Sequence, residues 1–150
     1  MGLFGDVVAA VGAGVKRGYV QSQVRQFCQR VGWPVEERGE NLLWIHIHDP
    51  VGFKRAIVVN CKKFIFLGTF SHVTLTQAPG EITGHLLTRN DDLLFGKWSV
   101  SVDDGEISFH LGYMLPPDTL TETMFFAVCE EMAKEAGTFD AQMQQAGLLE

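Results

Sequence analysis

The chain has 150 residues, of which 46% are hydrophobic and 11% aromatic. This composition is typical of a single folded domain and excludes an intrinsically disordered chain. The formal charge of −6 argues against nucleic acid as a partner, because a phosphate backbone would repel such a chain unless it carried a concentrated basic patch.

The first eighteen residues form a Gly-rich segment with an apolar stripe. Phe4, Val8 and Val11 recur at spacings of four and three, which is the period of a helix. We therefore predict a helical arm over residues 1–18, ahead of a single α+β domain over 19–150. The stripe on the arm could dock on the domain or on a twin subunit, or it could bind another protein.

The apolar arm does not fit the usual targeting signals. Asp6 stands where a signal peptide carries positive charge, and Lys16 and Arg17 follow the apolar run instead of preceding it. Two cations are few for an interfacial anchor, so membrane contact is the least favoured alternative. The three cysteines form no C-x-x-C pair, which is typical of a reducing compartment. We therefore expect a cytoplasmic protein.

A firm helix is predicted from Tyr19 to Val31, ended by Gly32 and Pro34, because its valines and Phe27 repeat at helical spacing. The period then changes to two. Strands are predicted over Leu42–His48, Phe53–Asn60 and Phe64–Phe70, with Asp49–Gly52 as the first turn. Short links between successive strands indicate an antiparallel meander.

A short helix is predicted from Pro79 to about Thr88. Its apolar positions and those of the loop after it are unusually many for so short a segment. They could belong to the core, or they could form a dimer or client surface. The residues in question are Ile82, Leu86, Leu87, Leu93, Leu94 and Phe95.

The last strands form the clearest hairpin in the chain. Trp98–Val102 and Ile107–Tyr113 alternate apolar and polar residues around the turn Asp103–Gly105. This alternation predicts a sheet that is covered on one face only. A long helix follows, with Thr119 and Glu122 as its expected capping box and Gly147 as its stop.

The predicted fold is therefore α+β. Its order is helix, three-stranded antiparallel meander, short helix, β-hairpin and long C-terminal helix. Two helices are expected to pack on one face of a five-stranded antiparallel sheet.

Four local motifs in this order carry a resemblance to a known fold. They are Leu86–Asn90, Leu94–Val100, Asp103–Ile107 and the Leu115–Pro117 link into the last helix. Together they resemble the type III secretion chaperone-like fold, and within it the YbjN-like group. The resemblance implies a chaperone-like, non-enzymatic module that binds another protein as a chaperone or adaptor. It also implies a homodimer, with contacts through the middle helix and the sheet edges.

An alternative function uses the uncovered sheet face. Trp44, His46 and His48 alternate along one strand, and His110 could share their face, so a small ligand or a transition metal could bind there. No nucleophile elbow, phosphate loop or H-E-x-x-H helix is present. The sequence therefore assigns no catalytic residue, no metal ligand and no cofactor, and it predicts a protein that is not an enzyme.

Overall fold

The computed structural model describes residues 18–77 and 79–149. The arm with Phe4, Val8 and Val11 lies outside these residues. The first helix, α1, occupies 18–31 of the described part. The elements after it are β1 (Val35–Glu37), β2 (Leu42–His48), β3 (Lys54–Cys61), β4 (Ile65–Leu75), α2 (Gly80–Asp92), β5 (Lys97–Asp103), β6 (Glu106–Leu115), a 3₁₀ turn (Pro117–Thr119) and α3 (Glu122–Gln145).

The strands form one antiparallel sheet in the order β1-β2-β3-β4-β6-β5. The α+β class is confirmed, but the sheet has six strands where the sequence predicts five. The additional strand is β1, in which Val35 lies opposite Ile45. Its three residues include two glutamates and are too few to show an alternation. Pairing with β2, and not its own pattern, makes this segment a strand.

All three helices pack on the same face of the sheet, where the sequence predicts two. Buried residues of α1, α2 and α3 belong to one hydrophobic cluster with the inward residues of the strands. The short helix α2 is included because its own apolar stripe faces the core. The largest fully buried side chains of this core are Phe109, Phe125, Leu43, Ile45, Ile57, Ile65, Leu67, Leu111 and Met132.

The edge strand β5 corrects a second expectation. The hairpin pattern predicts that Trp98, Val100 and Val102 all meet the helices. Trp98 is buried, but Val100 and Val102 are exposed although they share its face. The helix layer does not extend over the end of the outermost strand. The alternation of residues in a strand predicts which face they lie on, but it does not predict whether helices cover that part of the face.

Two predicted helix ends are confirmed by their hydrogen bonds. Gly32 follows α1 with φ of 73°, and the Trp33 N–H bonds to the carbonyl of Cys28 at 3.0 Å. Gly147 follows α3 with φ of 76°, and the Leu148 N–H bonds to the carbonyl of Met143 at 2.9 Å. Both are Schellman motifs. This motif requires a left-handed backbone conformation at the residue after the helix, and glycine adopts that conformation at little cost.

The start of α3 differs from the predicted capping box. Thr121, not Thr119, is the N-cap, and its hydroxyl accepts a hydrogen bond from the Met124 N–H at 3.1 Å. Thr119 lies in the 3₁₀ turn and donates its hydroxyl to the carbonyl of Pro116 at 2.8 Å. The Thr-x-x-Glu spacing was present by coincidence, since the helix begins two residues later.

Candidate functional site

The sheet face opposite the helices is built around the ring of Phe66. A Cβ added at Gly68 or at Gly112 would lie 2.7 Å from the nearest carbon of that ring. Gly68 and Gly112 are register partners on β4 and β6, so the ring lies flat over two adjacent strands. Neither glycine has a positive φ, which means that both are needed for the space they leave and not for their conformation.

Other apolar side chains surround this ring. Trp44 lies opposite Val58, which in turn lies opposite Gly68, and Met114 lies opposite Phe66. Phe70 and Met114 are 51% and 61% exposed. We call this group the aromatic patch, and it consists of Trp44, Val58, Phe66, Phe70 and Met114.

The aromatic patch differs from the polar open face that the hairpin pattern indicates. Over β5 and β6 the open face is polar, with Ser99 and Ser101 beside His110, as predicted. Over β2, β3 and β4 it combines the apolar residues of the patch with polar ones such as His46, His48 and Lys54. The two-residue spacing of Phe66, Gly68 and Phe70 places large rings and a glycine on one face of the strand, but it does not indicate whether that face is the core face or the open face.

Four of the five histidines lie on the open face. His46 and His48 are on β2, His72 is on β4 and His110 is on β6. The His46 Nε2 is 3.0 Å from a carboxylate oxygen of Glu36. The predicted residues Trp44, His46, His48 and His110 do share one face. His72 also lies on this face, but it was not predicted from the sequence, because β4 is irregular at this point.

These imidazoles do not converge on one point. Strands β3 and β4 separate His46 from His110, which corresponds to about 14 Å at the usual strand spacing. His110 instead accepts or donates to the hydroxyls of Ser99 and Ser101, at 2.8 and 2.6 Å. Within 18–77 and 79–149, no three potential ligand side chains are grouped as a metal ion requires. The metal-binding alternative therefore has no geometric support in these residues.

The environment of His110 gives a testable pH dependence. Burial lowers the pKa of this imidazole below its ordinary value. The unfolded chain therefore binds a proton more readily than the folded protein does, and the stability that neutral His110 preserves is lost as the pH falls from the unfolded pKa to the lower folded pKa. We expect the melting temperature to decline as the pH falls below about 6.5, the ordinary pKa of histidine. The His110→Gln variant should lose part of this slope, and identical slopes would contradict the assignment.

The six residues of the predicted α2 surface differ in their exposure. Ile82 and Leu86 are buried in the core, so their side chains are not available to a partner. Leu93 and Phe95 are partly buried against the same core. Leu87 and Leu94 are 63% and 82% exposed, so of the six predicted residues these two are the ones with large exposed side chains.

A groove of about 460 Å³ lies between α2 and α3. An ion pair crosses it, in which Arg89 donates to both carboxylate oxygens of Glu135 at 3.0 and 2.8 Å. The Trp98 indole N–H also donates to Glu135, at 3.1 Å. Burial opposes the charge on Glu135, but these hydrogen bonds outweigh it and lower the pKa of the carboxyl. The contacts join α2, α3 and β5.

A second charged cluster is fully buried under the helices. The Arg55 guanidinium donates to Asp49 through Nε and Nη2, at 3.0 and 2.9 Å, and to Asp140 through Nη2 at 2.6 Å. The three side chains are at most 1% exposed. The second oxygen of Asp49 accepts three backbone N–H groups of the turn that follows it, those of residues 51–53.

The same cluster stabilises an irregularity in β4. Between Phe70 and Thr74 the register with β6 shifts, which leaves backbone groups of β4 unpaired. Arg55 Nη1 donates to the Phe70 carbonyl at 2.6 Å, and the other oxygen of Asp140 accepts from the Ser71 hydroxyl and from the His72 N–H. The polar groups of the cluster thus form hydrogen bonds with one another and with the groups of the bulge that lack strand partners. We regard the cluster as structural, since the protein itself occupies its donors and acceptors.

Comparisons with known proteins show a fold but no family. No family model matches the sequence, and no curated protein matches it. Among solved structures, the crystal structure of YbjN from E. coli, described as a proposed transcription regulator, is similar to this chain. The TM-score is 0.61 at 17% identity, over 85% of this chain and 92% of YbjN. This likeness confirms the YbjN-like fold that the sequence motifs indicate, and a type III secretion chaperone-like role stays a prediction.

Proposed function

We propose that the protein is a non-enzymatic adaptor or regulatory module that binds another protein on the aromatic patch. The observation that carries this proposal is a pair of exposed large apolar side chains, Phe70 and Met114, beside the partly buried rings of Trp44 and Phe66, on the one sheet face that no described helix covers. Water contact with such side chains is unfavourable, and a partner that covered them would gain the free energy of their burial.

The construction of the patch also favours protein binding. The ring of Phe66 lies over two glycines, close to the backbone of β4 and β6, so it has little room to move and should lose little conformational entropy on binding. Aromatic residues and methionine are enriched at the centres of protein interfaces. Arg38 stacks on Trp44 with its guanidinium carbon 3.6 Å from the ring centroid, which gives the patch a polar rim.

A chaperone role in a cytoplasmic setting is the more specific form of this proposal. It rests on the resemblance to the type III secretion chaperone-like fold, in which small acidic proteins bind other proteins. Within the described residues, no helix has both the length and the hydropathy needed to cross a bilayer. The identity of the client follows from neither the fold nor the patch.

Paired variants of the full-length protein can test the patch by affinity capture from the native cell. In one variant, Phe70→Ser and Met114→Ser remove the exposed side chains of the aromatic patch. In the matched variant, Leu87→Ser and Leu94→Ser remove two exposed side chains of the α2 surface. We expect the first variant to lose, by tenfold or more, a protein that the wild type captures, and the second to retain it, because a pair of interface side chains contributes about 2 kcal/mol.

Each variant must first show an unchanged circular dichroism spectrum and melting temperature within a few degrees of the wild type. Loss of the captured protein in the α2 variant alone would show that the partner binds at α2 and not at the aromatic patch. Equal capture by the wild type and both variants would contradict the proposed function.

A further inference from the structure

The first described helix begins beside one end of the sheet. In α1, the side-chain amide of Gln21 donates to the carbonyl of Glu40, in the connection from β1 to β2, at 2.8 Å. Tyr19 and Pro117 line one cavity, in which α1 faces the turn that follows β6. The register of the antiparallel pairs places the start of β2 and the end of β6 at this same end of the sheet. The chain that precedes Gly18 therefore enters the domain here.

The aromatic patch lies toward the same end of the sheet, on the open face. Phe66 is opposite Met114, one residue from the end of the paired part of β4 and β6. Phe64, in the turn between β3 and β4 at this end, is 44% exposed, and Tyr19 at the start of α1 is 64% exposed. Exposed apolar side chains are thus present at the start of α1, at the end of the sheet and on the patch itself.

The arm, which lies outside the described residues, supplies an apolar segment directly before α1. From Leu3 to Val11 it has one charged side chain, that of Asp6, so exposure of this segment to water is unfavourable. Gly12 and Gly14 follow the stripe, and glycine adopts the backbone conformations of a chain reversal at little cost. The stripe and α1 are therefore joined by a segment in which the chain can turn back.

We propose that the apolar stripe of the arm docks on the aromatic patch of the same molecule, after the chain has passed around the end of the sheet. Phe4, Val8 and Val11 then cover the ring of Phe66 and the side chain of Met114, and both surfaces leave water together. A short tether gives the arm a local concentration on the order of millimolar at the patch. A second copy or a separate partner must therefore compete with it.

The connection is long enough for this path. Packed layers lie about 10 Å apart, so the path from the axis of α1 past the sheet to a segment on the open face is about 20 Å. Residues 12–17 span about 20 Å when they are extended. Because α1 starts at the end of the sheet, the chain passes around that end and does not have to cross an edge strand.

The stripe and the patch also agree in size. Trp44 and Met114 lie on β2 and β6, three strand spacings apart, which is about 14 Å. Phe66 and Phe70 are separated along β4 by about 13 Å. A helix over residues 3–11 is about 14 Å long and about 10 Å wide. A single short helix is therefore sufficient to cover most of the patch.

This docking has a regulatory consequence, which alone rests on the proposed function. A partner that binds the patch must first displace the arm, so its apparent affinity falls in proportion to the fraction of molecules in which the patch is uncovered. Substitutions that weaken the stripe should therefore increase capture of the partner. The docking of the arm itself does not depend on the existence of such a partner.

Oxidation of Met114 by dilute hydrogen peroxide measures whether the patch is covered in the full-length protein. Peroxide transfers one oxygen atom to an accessible thioether and is reduced to water, and peptide mass spectrometry locates the sulfoxide. In the Phe4→Ser/Val8→Ser variant, Met114 should oxidise about tenfold faster than in the wild type, because the stripe no longer holds the arm on the patch. Ala9→Ser/Ala10→Ser is the matched control, since both alanines lie outside the stripe. It should leave the rate unchanged.

Met143 provides an internal reference, because it is partly buried in the helix layer and lines a cavity between α2 and α3. Its oxidation rate should be the same in all three proteins, which also shows that the fold is unchanged. The protection of Met114 in the wild type should not depend on protein concentration. Protection that is lost on dilution would assign the cover to a second copy and overturn the proposal, as would equal oxidation of Met114 in the wild type and the Phe4→Ser/Val8→Ser variant.

The docking of the arm and the proposed function can fail separately. Protection of Met114 without any captured protein would support the docking of the arm and contradict the proposed function. Capture of a partner on the patch without protection of Met114 would support the proposed function and overturn the docking of the arm.

Discussion

Replacement of Arg55 by methionine should lower the free energy of unfolding by about 3–5 kcal/mol or prevent folding altogether. Arg55 is the sole cation in contact with Asp49 and Asp140 among the described residues. Its loss leaves two buried carboxylates without their counterion and leaves the Phe70 carbonyl without its partner. A buried charge that loses its counterion has no water to replace it, so the cost far exceeds the value of an ordinary surface ion pair.

The matched control is Arg30→Met. Arg30 pairs with Glu122 on the surface, where their side chains are 60% and 36% exposed. This variant should cost less than about 1 kcal/mol. Urea denaturation followed by circular dichroism measures both variants, and an unchanged slope with denaturant concentration would show that the two-state comparison holds. Similar losses for Arg55→Met and Arg30→Met would contradict the assignment of the buried cluster as a major stabilising element.

Alanine at Gly137 should destabilise the protein by about 1–3 kcal/mol, although alanine favours a helix. A Cβ at this position would lie 2.8 Å from the Asp49 carboxyl carbon, closer than real contacts occur. Asp49 cannot move away, because five hydrogen bonds from the turn and from Arg55 fix its oxygens. The close approach of α3 to the turn therefore requires glycine.

Gly84 provides a control with the opposite sign. It lies within α2, and a Cβ there would meet no atom within 4 Å. The Gly84→Ala variant should therefore stabilise the protein by about 0.5–1 kcal/mol, through helix propensity alone. Thermal and urea unfolding of both variants measure the difference. Stabilisation by alanine at both positions would show that the Asp49 turn yields, and that the packing between this turn and α3 is looser than the structure indicates.

The long elements were predictable because each carries its own periodic signal. The helix after Tyr19, strand β2 and the final hairpin repeat apolar residues over two or more periods, and the glycines at 32 and 147 end helices at the expected places. β1 could not be predicted in this way. Its residues form a strand because β2 offers them backbone partners, and that information lies outside the segment.

The polar interior was hidden for a related reason. Asp49 has the sequence context of a turn, and Asp140 that of an exposed helix position. Their burial depends on Arg55, which is 85 residues away from Asp140. The pattern of charges along the sequence does not show that two residues so far apart in the chain are in contact. The aromatic patch was hidden too, because Phe66 and Phe70 are as compatible with the core as with the open face until the register and strand order are known.

The partnership of Arg55 with Asp140 also has a consequence for the order of folding. The strands β2, β3 and β4 are synthesised early, but the residues that satisfy the bulge in β4 belong to α3, near the end of the described chain. Until α3 emerges from the ribosome, Arg55 lacks one carboxylate, and α1 and α2 are the described helices that can cover the inner sheet face. We therefore expect slow, late consolidation dominated by contacts of high sequence separation, and a nascent chain in which the outer face and part of the inner face are open at once.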